Sequence, residues 1–235
     1  FSDRIVRGSI LASDGTVLAE TTTDDAGNET RVYNYGGVFD HAVGYSSKGK
    51  TGIEAMANFY LLSSHVNLVE QAGNELAGAK NLGDSVVTTL DMELQQAAYA
   101  ALGDRRGAVI AMEPDTGKIL AMVSKPGYDP NTLLQDWASL TDSSNNQGQL
   151  VNRATAGLYP PGSTFKIFTT LEYVHENPNY QDYSFNCEGE LNVDGNEIHC
   201  YHKSVHGQEN LKDSFANSCN TSFSNIVLSL NITKF

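Results

Sequence analysis

Residues 107–124, GAVIAMEPDTGKILAMVS, constrain the fold more than any other stretch. Two short apolar runs flank Pro114-Asp115-Thr116-Gly117, whose Pro, Asp and Gly content marks a turn, so the segment reads as a hairpin. Its arms are apolar nearly throughout instead of alternating, so the sheet they enter must be covered on both faces. A chain of 235 residues, 40% of them apolar, is large enough to supply that cover as one large domain or two modest ones. Immediately upstream, VVTTL reads as a β-branched strand, and Asp91 is placed to cap a helix, MELQQAAYAAL.

The amino-terminal third is less regular. Residues 4–20 read as two short strands around Ser13-Asp14-Gly15, and the polar stretch from Thr21 to Thr30 reads as an exposed loop. Ile53, Met56 and Phe59/Tyr60 suggest one amphipathic helix from Gly52 to His65, buried along that face. Ser139 to Gln149 reads as a polar loop. The net charge of −13, from 15 basic and 28 acidic residues, argues against a nucleic-acid partner, which needs a basic footprint. No apolar run approaches the roughly 18 residues of a membrane helix. Three cysteines do not make a disulfide framework, but Cys187 and Cys200 flank Asp194-Gly195, a strong hairpin dipeptide. That leaves two readings, a disulfide between them or free buried thiols. The six histidines show no metal-ligand spacing; His202 and His206, four apart beside Gly207, read as loop residues.

Chemistry concentrates in Tyr159-Pro160-Pro161-Gly162-Ser163-Thr164-Phe165-Lys166. The prolines and glycine end one element, and TFKIFTTLEYVHE then has helical spacing at Phe165, Phe168, Leu171 and Val174. Ser163 thus sits at a helix N-terminus with Lys166 one turn on, on the same face. A serine hydroxyl needs a base to become a nucleophile, and a lysine beside Phe165 and Phe168 can have its pKa lowered enough to serve. The backbone N–H groups at the helix start favour developing negative charge. Ser-x-x-Lys alone is equally an N-cap followed by a surface lysine. Asn217-Ser218-Cys219-Asn220 adds a Ser-x-Asn about fifty residues downstream, and the two in this order are far more specific than either.

Ser-x-x-Lys followed by Ser-x-Asn is the signature of serine β-lactamases and penicillin-binding proteins. The resemblance extends further. Arg4 to Glu20 resembles the R-x-x-RG-x-I-x-DxxG-x-x-LA stretch of class B penicillin-binding proteins, and GKTGIEAMANFYL (49–61) resembles their G-x-x-G-[LI]-E segment. VVTTLDMELQQAAYAAL, GAVIAMEPDTGKILAMVSKPGYDPN, NRATAGLYPPGSTFK and HGQENLKDSFANSCNTSF follow the order of their transpeptidase domain. The resemblance implies an α+β chain: a pedestal-like or dimerisation module at 1–83, then at 84–235 the first part of a transpeptidase domain, a mostly antiparallel sheet with helices on both faces. It implies Ser163 as nucleophile and Lys166 as its base. Ser218 would be the proton relay to the leaving amine, and Asn220 would be a hydrogen-bond partner of Lys166 and substrate. Metal ions and cofactors have no part in that chemistry.

On this resemblance the partners are peptidoglycan stem peptides, β-lactam antibiotics, a cell-wall glycosyltransferase and other elongation or division proteins. The site of action is the extracytoplasmic face of a bacterial membrane, reached through an upstream anchor. The family's third motif, Lys-[Ser/Thr]-Gly, is expected a long interval after Ser-x-Asn, whereas fifteen residues follow Asn220. Lys50-Thr51-Gly52 precedes the nucleophile and is a coincidence of spelling. The expectation is therefore the amino-terminal part of a longer protein. Two alternatives share the fold: a serine β-lactamase or carboxypeptidase, which passes the acyl group to water, and a β-lactam sensor or catalytically silent scaffold. The long amino-terminal region speaks against the lactamase and the sensor.

Overall fold

The structure, a computed structural model, describes residues 4–144, 147–231 and 233. It divides into two compact units, residues 1–158 and 159–235. The architecture is mixed α/β, built from small, mainly antiparallel sheets and helices.

In the first unit the strands are β1 (Ile5–Val6), β2 (Ile10–Leu11), β3 (Val17–Thr23) and β4 (Glu29–Tyr33). Short helices α1 (Asp40–Val43), α2 (Gly52–Met56), α3 (Asn58–Leu61) and α4 (Leu68–Leu76) follow. Next come β5 (Asn81–Leu82), β6 (Val86–Val87), α5 (Met92–Leu102), β7 (Gly107–Met112), β8 (Ile119–Lys125), α6 (Leu133–Thr141) and α7 (Arg153–Ala156). One sheet runs β4-β3-β2-β6, antiparallel except for the parallel β2–β6 pair, and β1 pairs in parallel with β5.

The hairpin at 107–124 forms, with Val109 opposite Val123, but the cover on both faces expected from its apolar arms is not seen at β7 among the described residues: β7 and β8 make a two-stranded sheet, and Ile110 and Met112 are exposed. Odd-numbered Ala121 and Val123 of β8 pack on Ala98 of α5, while Met122, on the other face, joins the main core of Ile10, Leu18, Phe39, Val43 and Leu61. Asp91 caps α5 by accepting from Leu94 N–H at 2.8 Å. One turn on, fully buried Gln95 fixes α5 to β8, exchanging hydrogen bonds with the Met122 backbone at 2.8 and 2.9 Å.

Three local expectations change. Thr21–Thr30 is not a loop: β3 runs to Thr23 and pairs with β4 from Glu29, because three consecutive β-branched threonines prefer a strand. The turn shrinks to Asp24–Asn28, tied by Asp24 Oδ1 accepting from Ala26 and Asn28 N–H. The helix expected over 52–65 breaks at Ala57 into α2 and α3. Its buried face is Glu54, Ala57 and Leu61, while Met56, Phe59 and Tyr60 are exposed. Finally, the polar loop expected from Ser139 begins only after Thr141, where α6 ends; its Asn145 and Asn146 lie outside the described residues.

The face inverts at α2 because of charge. Glu54 is fully buried and receives Arg7 Nε at 2.6 Å and Arg31 Nε at 2.7 Å, one on each carboxylate oxygen. Arg7 also donates to the Glu54 carbonyl and to Asn58 Oδ1, and Arg31 to the Gly8 carbonyl. The triad thereby ties the β1–β2 loop, β4 and α2 to one point. Lys50-Thr51-Gly52 lies in this unit at the entry to α2, where Gly52 has φ +55° and its Cα approaches the Ala42 carbonyl too closely for a side chain. Removing one partner of a buried ion pair strands the others, so Glu54→Ala is expected to lower stability by about 3–5 kcal/mol. Denaturant unfolding monitored by circular dichroism measures it.

Candidate active site

The second unit opens with a 3-10 turn, Gly162–Phe165, leading into α8 (Lys166–Glu176). Strand β9 (Ser184–Cys187), the hairpin β10 (Glu190–Val193) and β11 (Asn196–His199), and β12 (Gly207–Asn210) follow; α9 (Leu211–Ala216) and α10 (Asn220–Ser229) close it. Strand β12 pairs antiparallel with β9, and α8 and α10 share a core of Leu211, Phe223 and Ile226 with Tyr173 and Val174.

All four predicted site residues lie in this unit. Pro161, then Gly162 at φ +57°, turn the chain into the 3-10 segment and leave Ser163 exposed on its first turn. Lys166, three residues on, begins α8 and is half-buried. Its Nζ donates to the Ser218 carbonyl at 2.6 Å, to Ser218 Oγ at 3.0 Å and to Asn220 Oδ1 at 2.7 Å. Three ammonium protons thus meet three oxygens from one turn. Burial pushes the Lys166 amine below the ordinary lysine pKa of 10.5. The apolar surface beside it is Phe223, whose ring centroid lies 5.4 Å from Nζ. Phe165 and Phe168, assigned that role from the sequence, are largely exposed and stack on each other instead, 5.7 Å apart.

The second motif is a turn between α9 and α10. Ser218 has φ +50°, a left-handed conformation that costs a non-glycine residue free energy. The turn is held from both ends: Ser218 N–H donates to Phe215 O at 3.0 Å, and Cys219 N–H to Ser214 O at 2.9 Å. Asn220 opens α10 with its amide fixed twice, Oδ1 accepting from Lys166 and Nδ2 donating to the His199 carbonyl at 2.9 Å. One amide proton remains for another acceptor.

Ser163, Ser218, Asn220 and His206 line one cleft of about 460 Å³. Among the described residues Ser163 Oγ makes no hydrogen bond, and Lys166 is engaged by the second motif. Such geometry is common before substrate binds, catalytic contacts tightening only in the complex. An open, mainly apolar groove of about 480 Å³, lined by Phe165, Lys166, Phe223 and Val227, flanks the lysine.

Comparison with known proteins identifies the family of the chain. The penicillin-binding protein transpeptidase domain family matches residues 107–235, more than half of the chain. The chain belongs to the penicillin-binding protein transpeptidase family. A second family, the penicillin-binding protein A dimerisation domain, matches residues 7–86. The peptidoglycan D,D-transpeptidase PbpA of Mycolicibacterium smegmatis is 38% identical over 180 residues, covering 70% of this chain and 36% of that protein. PbpA of Mycobacterium tuberculosis is 32% identical over 238 residues, covering 92% and 48%. The chain therefore spans less than half the length of these curated relatives. Among solved structures, the imipenem acyl-enzyme complex of M. tuberculosis penicillin-binding protein A superposes with a TM-score of 0.82 at 30% identity, over 96% of this chain and 56% of that one. A D,D-transpeptidase domain from Eggerthella lenta superposes at 0.70 with 35% identity, over 90% and 47%.

Sequence reasoning missed the surroundings of the second motif. Asp194 and Gly195 form the predicted hairpin turn with positive φ at both residues, +51° and +85°. Cys187 and Cys200 do approach, but their sulfurs stand 3.7 Å apart, too far for the roughly 2.05 Å bond of a disulfide. Cys219, not paired with either from the sequence, lies 3.7 Å from Cys200. His206, read as a loop residue, is half-buried with Nδ1 3.3 Å from Cys187 Sγ.

The Ser218 backbone yields one direct test. Ser218→Gly and Ser218→Ala both lose the hydroxyl that accepts from Lys166, but only glycine adopts φ +50° without strain, so the glycine variant is expected to be more stable than the alanine variant by about 1 kcal/mol. Thermal unfolding of the two variants side by side measures the difference, and equal midpoints contradict the strain.

Proposed function

We propose that this chain carries the nucleophile, base and second motif of a peptidoglycan D,D-transpeptidase. The observation supporting it most is the triple hydrogen bond from Lys166 to Ser218 and Asn220, which joins two motifs 52 residues apart in one cleft with Ser163. In this reading residues 1–83 form the pedestal-like or dimerisation module, and 84–235 belong to the transpeptidase domain.

The chemistry is acyl transfer. Ser163 Oγ bonds to the carbonyl carbon of a D-Ala-D-Ala stem peptide, or of a β-lactam ring, and its proton passes to the Lys166 amine. Backbone N–H groups at the start of α8, that of Ser163 among them, take the oxyanion. As the carbon–nitrogen bond breaks, the proton moves from Lys166 through the Ser218 hydroxyl to the leaving nitrogen, and Asn220 holds the lysine and the substrate amide. The free amine of a neighbouring stem peptide then attacks the acyl-enzyme, forming the crosslink amide and regenerating Ser163. With a β-lactam the leaving nitrogen stays tethered, so the acyl-enzyme persists. A cell-wall glycosyltransferase and elongation or division proteins are the expected partners, at the extracytoplasmic face of a bacterial membrane.

Labelling of the full-length protein with a fluorescent penicillin tests the assignment. The parent is expected to carry stable label, and Ser163→Ala none; label persisting in that variant refutes the nucleophile. Rapid turnover of the drug would identify a lactamase instead. Lys166 must be neutral to accept the proton, and burial depresses its pKa. The acylation rate is therefore expected to rise with pH along a limb centred below 10.5, the ordinary lysine value. Stopped-flow acylation rates against pH locate it, and a limb at or above that value removes Lys166 from the role of base.

A further inference from the structure

The three cysteine sulfurs and the His206 ring sit in the second unit as a single cluster. One ligand atom from each of Cys187, Cys200, His206 and Cys219 lies within 4.8 Å of every other. The cysteines are 0, 3 and 0% exposed, and His206 closes the side toward the cleft it shares with Ser163. The four come from separate places in the chain: the end of β9, the residue after β11, the residue before β12, and the N-cap of α10.

The spacing excludes a disulfide, and the fourth ligand separates a metal site from packed thiols. A disulfide needs sulfurs at about 2.05 Å, which excludes it; thiols in simple van der Waals contact would also stand at about 3.7 Å, but they have no need of an imidazole nitrogen brought into the same set. Four ligands around a tetrahedral zinc with Zn–S of about 2.3 Å and Zn–N of about 2.0–2.1 Å stand roughly 3.8 Å apart, sulfur to sulfur, and 3.5 Å, sulfur to nitrogen. The Cys187–Cys200 and Cys200–Cys219 separations are both 3.7 Å, and Cys187 Sγ to His206 Nδ1 is 3.3 Å. The surroundings have the outer contacts of such a centre. Thr221 Oγ1 lies 3.3 to 3.5 Å from all three sulfurs, close enough to donate to a thiolate. Glu209, 2% exposed and held by Asn217 Nδ2 at 2.8 Å, lies 3.9 Å from the same His206 nitrogen that faces the sulfurs, so it is a charged neighbour of the cluster and not a partner of the ring's other nitrogen.

We propose that Cys187, Cys200, His206 and Cys219 form a tetrahedral zinc site that anchors the turn carrying Ser218. Three soft thiolates and one imidazole select Zn²⁺ over magnesium, calcium or manganese, which take oxygen ligands. All four positions are filled by protein, as in structural sites, so the metal takes no substrate. Cys219 stands between Ser218 and Asn220, so a metal–sulfur bond there restrains the strained residue directly. That positioning role rests on the reading of Ser218 as part of the catalytic machinery; the metal site itself does not.

The full-length protein, purified under reducing conditions without chelator, is expected to contain about one zinc per chain by plasma mass spectrometry. Its three thiols should react with a thiol reagent only after a strong chelator is added. Replacing zinc with Co²⁺ should produce a thiolate-to-cobalt charge-transfer band, weaker by about a third in Cys187→Ser because one of three thiolates is gone. Those readouts are independent of activity. Penicillin labelling slowed by the chelator and restored by Zn²⁺ adds the positioning role, whereas unchanged labelling of a protein that has lost its zinc overturns that role alone. Metal-free protein with three freely reactive thiols and no cobalt band overturns the site, as does a Cys187–Cys200 disulfide in the native protein.

Discussion

The second unit is organised around one ammonium group. Lys166 reaches from the first turn of α8 to the turn before α10, and its three protons find three oxygens there. An ammonium fits this place because its donors are arranged about a single nitrogen, whereas a guanidinium would present a planar fork to a compact turn. The partners must also be spaced correctly. The Ser218 carbonyl and hydroxyl point at the same nitrogen while Ser218 holds φ +50°, so the left-handed backbone is part of the lysine's binding geometry. Strain at that residue and partial desolvation of the amine are two sides of the same arrangement.

The first unit has its own organising charge, and it explains where sequence periodicity misled. Apolar spacing over 52–65 marks Ile53, Met56 and Phe59/Tyr60 as the buried face, but a fully buried carboxylate outranks them. Glu54 must reach Arg7 and Arg31 together, and that requirement rotates the helix, breaks it at Ala57 and leaves three large apolar residues exposed. Hydrophobic periodicity weighs each residue separately. It has no means of knowing that arginines 47 and 23 positions away supply the compensation that makes a buried glutamate tolerable.

Elements whose logic is local were legible: the Asp91 cap, the 107–124 hairpin and the Asp194-Gly195 turn all formed as their residues dictate. The placement of Ser163 and Lys166 at the start of a helix, three residues apart, was legible for the same reason. Joining them to Ser218 and Asn220 needed family resemblance, since nothing within either segment states that they meet. The thiol cluster was illegible on both counts. Its ligands are separated by 13, 6 and 13 residues, unlike the close pairs that betray most zinc sites, and the hairpin signal drew attention to Cys187 and Cys200 as a pair. Cys219 was hidden inside a motif already assigned another purpose.

That overlap has a physical basis. Tyr173 and Val174 of α8 pack with Phe223 and Ile226 of α10 and Leu211 of α9, an ordinary apolar contact. Among the described residues nothing comparable surrounds the Ser218 turn: the strands nearby are four residues long, and their buried cluster is three cysteines with Phe185 partly covering them. So little apolar surface gives little burial energy, while a residue at positive φ needs surroundings that over-determine it. The tripeptide Ser218-Cys219-Asn220 meets this need by bonding in three directions: to Lys166 through Ser218 and Asn220, to the His199 carbonyl through Asn220, and to the sulfur cluster through Cys219. Cys219 Sγ also accepts from Ser222 N–H as the cap of α10, so the side chain that enters the cluster also starts the helix. Directional bonds thus do here what a hydrophobic core does elsewhere in the unit, and they do it at the residue where a small backbone displacement would move the hydroxyl.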